Sequence, residues 1–183
     1  MKGLIGIALL LAAGPLAAQE ITIEYAKEVD FATVKTFQYS ETEDTNIKDP
    51  MLGERIVADL KAKLIAGGLS EVEDNPDIYV TYHVTTEEKT KVNTQTFGYG
   101  GYAAGWGRWS VEGGGPASMT TETPYTEGTL IVDAYQASDK KMIWRGTGMV
   151  TVASKPKKQE QQIQNILNKM GNKWDKILKN AGE

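Results

Sequence analysis

The chain has 183 residues, with 24 acidic and 20 basic side chains, one histidine and no cysteine. A net charge of −4 gives no basic face for nucleic acid. The lack of cysteine excludes disulfides and thiolate metal sites, and one histidine cannot complete a zinc site by the usual ligands.

Met1-Lys2 is a short basic start, Leu4 to Ala13 a nearly unbroken apolar run, and Gly14-Pro15 a helix breaker followed by small residues. That is the three-part layout of a secretory signal peptide over residues 1–18, with cleavage expected after Ala18. Leu16 is larger than the small residue favoured three positions before the cut. The apolar run is too short for a membrane span, which needs about 20 apolar residues. Lys2 leaves with the leader, so residues 19–183 carry one more unit of negative charge and are expected to form a single domain. The junction Ala17-Ala18-Gln19-Glu20 offers no cysteine for acyl chains.

Ile21, Ile23 and Tyr25 alternate with Thr22, Glu24 and Ala26, which predicts a half-buried strand. Val34, Phe37 and Tyr39 predict a second short strand after a break near Asp30. Asp49-Pro50 opens a helix over 50–66, since Asp49 can cap free N–H groups and Pro50 suits the first helical position. Leu52, Ile56, Val57, Leu60 and Leu64 recur at helical spacing, and Gly67-Gly68 ends the run. The turn cluster Glu73–Asp77 launches a strand over Ile78–Thr85, and the polar residues to Thr96 read as its exposed edge continuation.

Residues 97–116 are rich in glycine and carry Phe97, Tyr99, Tyr102, Trp106 and Trp109 without a sustained period of 2 or 3.6. They read as a long loop or an irregular hairpin end. A strand is expected again from Gly128, with Leu130, Val132 and Ala134 on one face. A turn at Ser138–Lys140 returns a partner strand over Met142–Val152. A three-residue turn would set Asp133 opposite Arg145; a two-residue turn would shift that register by one. The last helix carries Ile163, Ile166, Leu167, Met170, Trp174, Ile177 and Leu178 as one apolar stripe. The fold class is therefore α+β: a mainly antiparallel sheet of about five strands with two helices on one face.

Several phrases recur together in one known family. They are Val29-Asp30-Phe31 with Lys35-Thr36-Phe37, Glu54-Arg55-Ile56, Asn75-Pro76-Asp77 before a strand ending Tyr82-His83-Val84, Tyr125-Thr126-Glu127-Gly128-Thr129-Leu130, and Ile143-Trp144-Arg145-Gly146. From about Ile23 to Leu178 the chain resembles the DUF4136 family of bacterial envelope proteins. The resemblance implies an α+β domain in a Gram-negative envelope and no defined activity. Many members look like lipoproteins, from which this chain departs in having no cysteine.

His83 shares a strand face with Tyr79 and Thr81, and no Gly-x-Ser-x-Gly motif gives it a nucleophile. The acidic groups Glu41, Glu43 and Asp44, and Glu71, Glu73 and Asp74, lack the Asp-x-Asp-x-Asp-Gly spacing of a calcium loop. Glu87-Glu88 reads as charge guarding a strand edge. No glycine motif cradles a phosphate. The sequence thus calls for no metal, no cofactor and no catalytic residue. Its candidate binding residues are Phe97, Tyr99, Tyr102, Trp106 and Trp109, whose rings could meet a protein, a glycan or a membrane surface. The same rings could instead cover the core. A non-catalytic periplasmic or outer-membrane-associated module is the leading reading. A carboxylate-dependent hydrolase of cell-wall polymers is the alternative, and assembly through the sheet edge or open face a third.

Overall fold

The structure, a computed structural model, describes residues 20–41, 50–97 and 117–181. The predicted leader, Asp49, Glu43 and Asp44 lie outside the described residues. Six strands form one sheet in the order β1-β6-β5-β4-β2-β3. They are β1 (Glu20–Tyr25), β2 (Thr36–Tyr39), β3 (Ser70–Glu71), β4 (Ile78–Phe97), β5 (Ala117–Gln136) and β6 (Met142–Thr151). The helices are α1 (Pro50–Ala66) and α2 (Pro156–Ala181).

The α+β class is as expected, but the sheet is mixed. β2 runs parallel to both β3 and β4. The reason is the crossover: α1 returns the chain across the sheet before β4 begins, and a helical crossover delivers a parallel neighbour. The sixth strand is the two-residue β3, too short to leave a periodic signal. A 3₁₀ turn at Phe31–Thr33, capped by the Asp30 side chain on the Ala32 N–H, sits at the break predicted near Asp30.

Both helices cover one sheet face. Side chains at paired antiparallel positions share a face, so Val80, Tyr82 and Val84 align with Ala134, Val132 and Leu130 beneath α1 and α2. All but the half-buried Val84 join Phe31, Phe37, Ile56, Leu60, Ile78, Ile143, Trp144, Ile166, Leu167, Met170 and Trp174 in the buried core. The stripe predicted on the last helix is the face that enters it. β6 offers Gly146 and Gly148 to α2. A methyl at Gly148 would collide with Ile166, and one at Gly146 would lie 3.1 Å from the Met170 sulfur. The missing side chains let the helix settle close to the sheet.

Between β5 and β6 the Gln136 N–H donates to Lys141 O at 2.8 Å, and Lys140 adopts φ 60°. This turn is longer than either length considered from sequence. A bulge between Ala134 and Tyr135 shifts the ladder by one residue, and Asp133 comes to rest opposite Arg145.

Candidate functional site

β4 and β5 pair without interruption from Ile78↔Gln136 to Phe97↔Ala117. Their other neighbours stop early. β6 ends at Glu127↔Thr151, and β2 reaches only Tyr39↔Val80. From Lys89↔Tyr125 outward, the two strands therefore pair only with each other among the described residues. At ~3.3 Å per residue this ribbon extends on the order of 30 Å past the end of β6.

Its composition explains why it stands in water. Thr90, Thr94, Thr120, Thr121 and Thr123 supply β-branched carbons without large apolar surface. Val92 and Met119 are exposed, and the hydroxyls of Thr94 and Thr120 lie 3.5 Å apart across the strands. At the ribbon's base the Lys89 ammonium donates to Glu127 at 2.5 Å and lies 3.5 Å from Glu87. Glu127, then Glu87, holds the Lys89 pKa above its ordinary value.

The two ribbon edges differ. Thr126 O accepts from Val152 N–H, so the even-numbered residues of β5 turn their backbone groups toward the β6 side. Pro124 belongs to that set and has no N–H to offer, which blocks strand addition there. On β4, Val80 O accepts from Ser40 N–H, so its even-numbered residues face the opposite edge.

Phe97 is the last residue of β4, opposite Ala117. Tyr99, Tyr102, Trp106 and Trp109 lie outside the described residues. The strand over Ala117–Glu127 corrects the expectation that order returns only at Gly128; apart from Phe97, the loop expected over 97–116 lies outside the described residues. From Met119 to Pro124 both faces of the strand are exposed, so it has no alternation of buried and exposed residues for a sequence reading to find.

The sheet face opposite the helices holds a second cluster. Asp133 is fully buried there, 0% exposed. Its carboxylate accepts from Arg145 Nε and Nη2, each at 2.7 Å. Tyr135 Oη lies 3.5 Å away and His83 Nε2 3.7 Å away. The Asp133 hydrogen bonds raise the Arg145 pKa above its ordinary value, while burial and then the Asp133 charge raise that of Tyr135. The His83 contact is longer than a hydrogen bond. The arrangement is a bidentate ion pair rather than an imidazole poised by a carboxylate to take a proton.

A polar cleft of about 590 Å³ lies where β4 begins and β5 ends, lined by Glu28, Asp30, Asp77, Asp139 and Lys141 among others. Three of its carboxylates are engaged locally. Asp30 caps Ala32, Asp139 accepts from Lys141 N–H, and Asp77 accepts from Lys35 N–H, Thr36 N–H and Thr36 Oγ1. Of the acidic groups singled out from sequence, Glu71 pairs with Lys61 at 2.5 Å, while Glu73 and Asp74 are exposed. No group of three or more His, Cys, Asp or Glu among the described residues is arranged to hold a metal ion. No helix among them is long and apolar enough to cross a membrane.

A family model described as a domain of unknown function (DUF4136) matches residues 21–173. No curated protein matches the chain. Among solved structures, a PDZ domain protein from Parabacteroides distasonis superposes with a TM-score of 0.51 at 13% identity, over 85% of this chain and 36% of that one. The PelC dodecamer from Paraburkholderia phytofirmans gives 0.44 at 12% identity, over 82% and 95%. A minor lipoprotein from Acinetobacter baumannii gives 0.36 at 11%, over 78% and 93%. At such identities the likeness is one of fold, and only the first of the three exceeds a TM-score of 0.5.

Proposed function

This chain belongs to the DUF4136 family, and we propose that it is a non-catalytic binding module of the Gram-negative cell envelope that presents residues 98–116 from the end of its β4–β5 ribbon. The observation that carries this reading is the ladder itself. Two strands twenty residues long are paired to Phe97↔Ala117, well beyond the point where the sheet needs them. A ribbon costs backbone ordering and buries little apolar surface, so the core gains little from it. Its gain would lie in setting Phe97 and Ala117, the two ends that hold residues 98–116, away from the body; the amphipathic rings of Tyr99, Tyr102, Trp106 and Trp109 are of the kind that contribute most to a contact surface.

The leader-like residues 1–18 support export and cleavage, with residues 19–183 as the mature protein in the periplasm, in solution or against the outer membrane. The hydrolase reading draws less support. Asp30 and Asp139 are committed to backbone N–H groups of their own turns, Asp77 to the Lys35 and Thr36 N–H groups before β2, and Asp133 to Arg145.

The test is a shortened chain in which Glu88–Thr126 is replaced by a two-residue turn. The pairs from Ile78↔Gln136 to Glu87↔Glu127 keep their partners in β6 and β2, so the body should fold. Binding of the mature chain to isolated outer membranes and to purified cell-wall sacculi is then compared with that of the shortened chain and of a Trp106→Ala/Trp109→Ala variant. Binding by the parent that both variants lose supports the proposal. Equal binding by a folded shortened chain moves the site to the body and refutes it.

A further inference from the structure

The edges of the sheet are guarded unequally. Ala26 N–H donates to Ile143 O, so the odd-numbered residues of β1 turn their backbone groups outward. The Lys173 ammonium donates to one of them, the Ile21 carbonyl, at 2.7 Å. A lysine held on an edge discourages a further strand. β3, two residues long, is too short to seat one, and Pro124 interrupts the β5 side of the ribbon. The β4 side has no such device. Its even-numbered residues Glu88, Thr90, Val92, Thr94 and Thr96 face outward, and β4 contains no proline. No described residue bonds to their outward backbone groups.

Stability favours a neighbour there. Two strands alone are marginal in water, and a sheet gains independence with three or more. From Thr90 to Thr94 the side chains of β4 are exposed on both faces, so burial does not hold this part of the ribbon. Thr90, Val92 and Thr94 are β-branched and suit a paired strand.

We propose that the outer edge of β4 pairs with the same edge of a second copy of this chain, antiparallel about a two-fold axis at Val92, to make a four-stranded ribbon. Two limits set that register. In such a pairing, opposed residues lie symmetrically about the axis, and the outward-facing even residues form the hydrogen-bonded pairs. With the axis at Glu88 or nearer the body, Phe97 of one copy would fall opposite Tyr79 or an earlier residue of the other. β2 already holds that stretch of edge through Phe37, Gln38 and Tyr39. With the axis at Lys89, Thr90 or Lys91, a lysine would face a lysine, and like charges directly opposed are destabilising. Val92 is the first position free of both conflicts. Lys91 then lies opposite Asn93, Lys89 opposite Gln95, and Glu88 opposite Thr96. An axis further out keeps fewer pairs. Val92, 58% exposed in the single chain, meets its own copy at the centre. The charges at the base of the ribbon thus select a register rather than forbid pairing.

Sedimentation equilibrium of the mature chain, with no membrane or cell-wall material present, should show monomer and dimer in exchange. Val92→Pro removes an outward N–H and leaves the β4–β5 ladder whole, so it should weaken the dimer at least about tenfold. The chain has no cysteine, so one introduced thiol reads the register. Opposed residues of a hydrogen-bonded pair lie about 5.5 Å apart at Cα, within disulfide reach. Val92→Cys should therefore oxidise to a covalent dimer. Thr94→Cys should not, because its two copies would stand about 13 Å apart along the strands. A monomer at the highest soluble concentration would overturn the proposal. So would an undiminished dimer in folded Val92→Pro, or cross-linking of Thr94→Cys as readily as of Val92→Cys. If Val92→Pro does not fold, the two thiol variants decide. None of these readouts involves outer membranes or sacculi, so self-pairing and envelope binding succeed or fail separately.

Discussion

Replacing Arg145 with methionine keeps the aliphatic stem and removes the guanidinium that holds both oxygens of Asp133. The carboxylate is then left at 0% exposure with Tyr135 at 3.5 Å and His83 at 3.7 Å, neither at full hydrogen-bonding distance. Breaking a buried pair from one side costs about 3–5 kcal/mol. The Arg145 side chain is 36% exposed, so water can enter the vacated position, and the low end of that range, about 3 kcal/mol, is the expected cost. For a domain of this size, at ~2–4 °C per kcal/mol, the melting temperature should fall by roughly 6–12 °C. Urea unfolding of the parent, Arg145→Met, Asp133→Asn and the double variant gives the full cycle. The double variant should recover much of the loss, because it strands no charge, and the coupling should exceed about 1 kcal/mol. A loss below about 1 kcal/mol in Arg145→Met, or strictly additive single effects, would refute the burial argument.

Gly148→Ala should destabilise by about 1–3 kcal/mol, since its methyl would meet Ile166 and push α2 off the sheet; thermal denaturation reads it, and an unchanged midpoint would show that the helix does not sit that close. Asp77 has its pKa lowered first by the Lys35 N–H, then by the Thr36 N–H and hydroxyl, against a smaller opposing effect of burial. Its folded value therefore lies below the unfolded 3.8, and its stabilisation is complete above that pH and lost as pH falls through the folded value. Asp77→Asn should be less stable than the parent near neutral pH, with the two unfolding curves converging in acid. Hydrogen exchange should divide the long strands: amides of β4 that bond to β5 near Thr81 and His83 should be protected far longer than those near Lys91 and Asn93. Uniform protection along β4 would mean that the ribbon is bound into a larger core.

Periodicity carried the helices, because each buries one stripe: the residues picked out in α2 are those that enter the core, and α1 runs over Pro50–Ala66 as predicted. The pairing of Asp133 with Arg145 was also legible as one of two registers. What chose between them was a bulge at Ala134, a backbone event with no residue signature. The parallel placement of β2 was hidden because strand direction depends on where a crossover lands. The outer half of β5 was hidden because two wet faces erase alternation, and Pro124 reads locally as a breaker although at a free edge it costs no ladder bond. The five aromatics carried a compositional signal only; the structure adds the ribbon that leads to them. The edge-to-face contact of Trp144 with Trp174 had no signal at all, since the two rings meet only once the sheet and α2 are assembled.

β1 opens the described chain yet pairs with β6, almost at the other end of it, and the Lys173 ammonium of α2 latches onto the Ile21 carbonyl at 2.7 Å. A polypeptide emerging amino end first cannot close this edge until nearly every residue is out. Until then, β1 would show its bare backbone to any passing strand. Completion of the sheet is thus a late event with a long loop to close, and until it happens the first strand of the sheet stays without its neighbour.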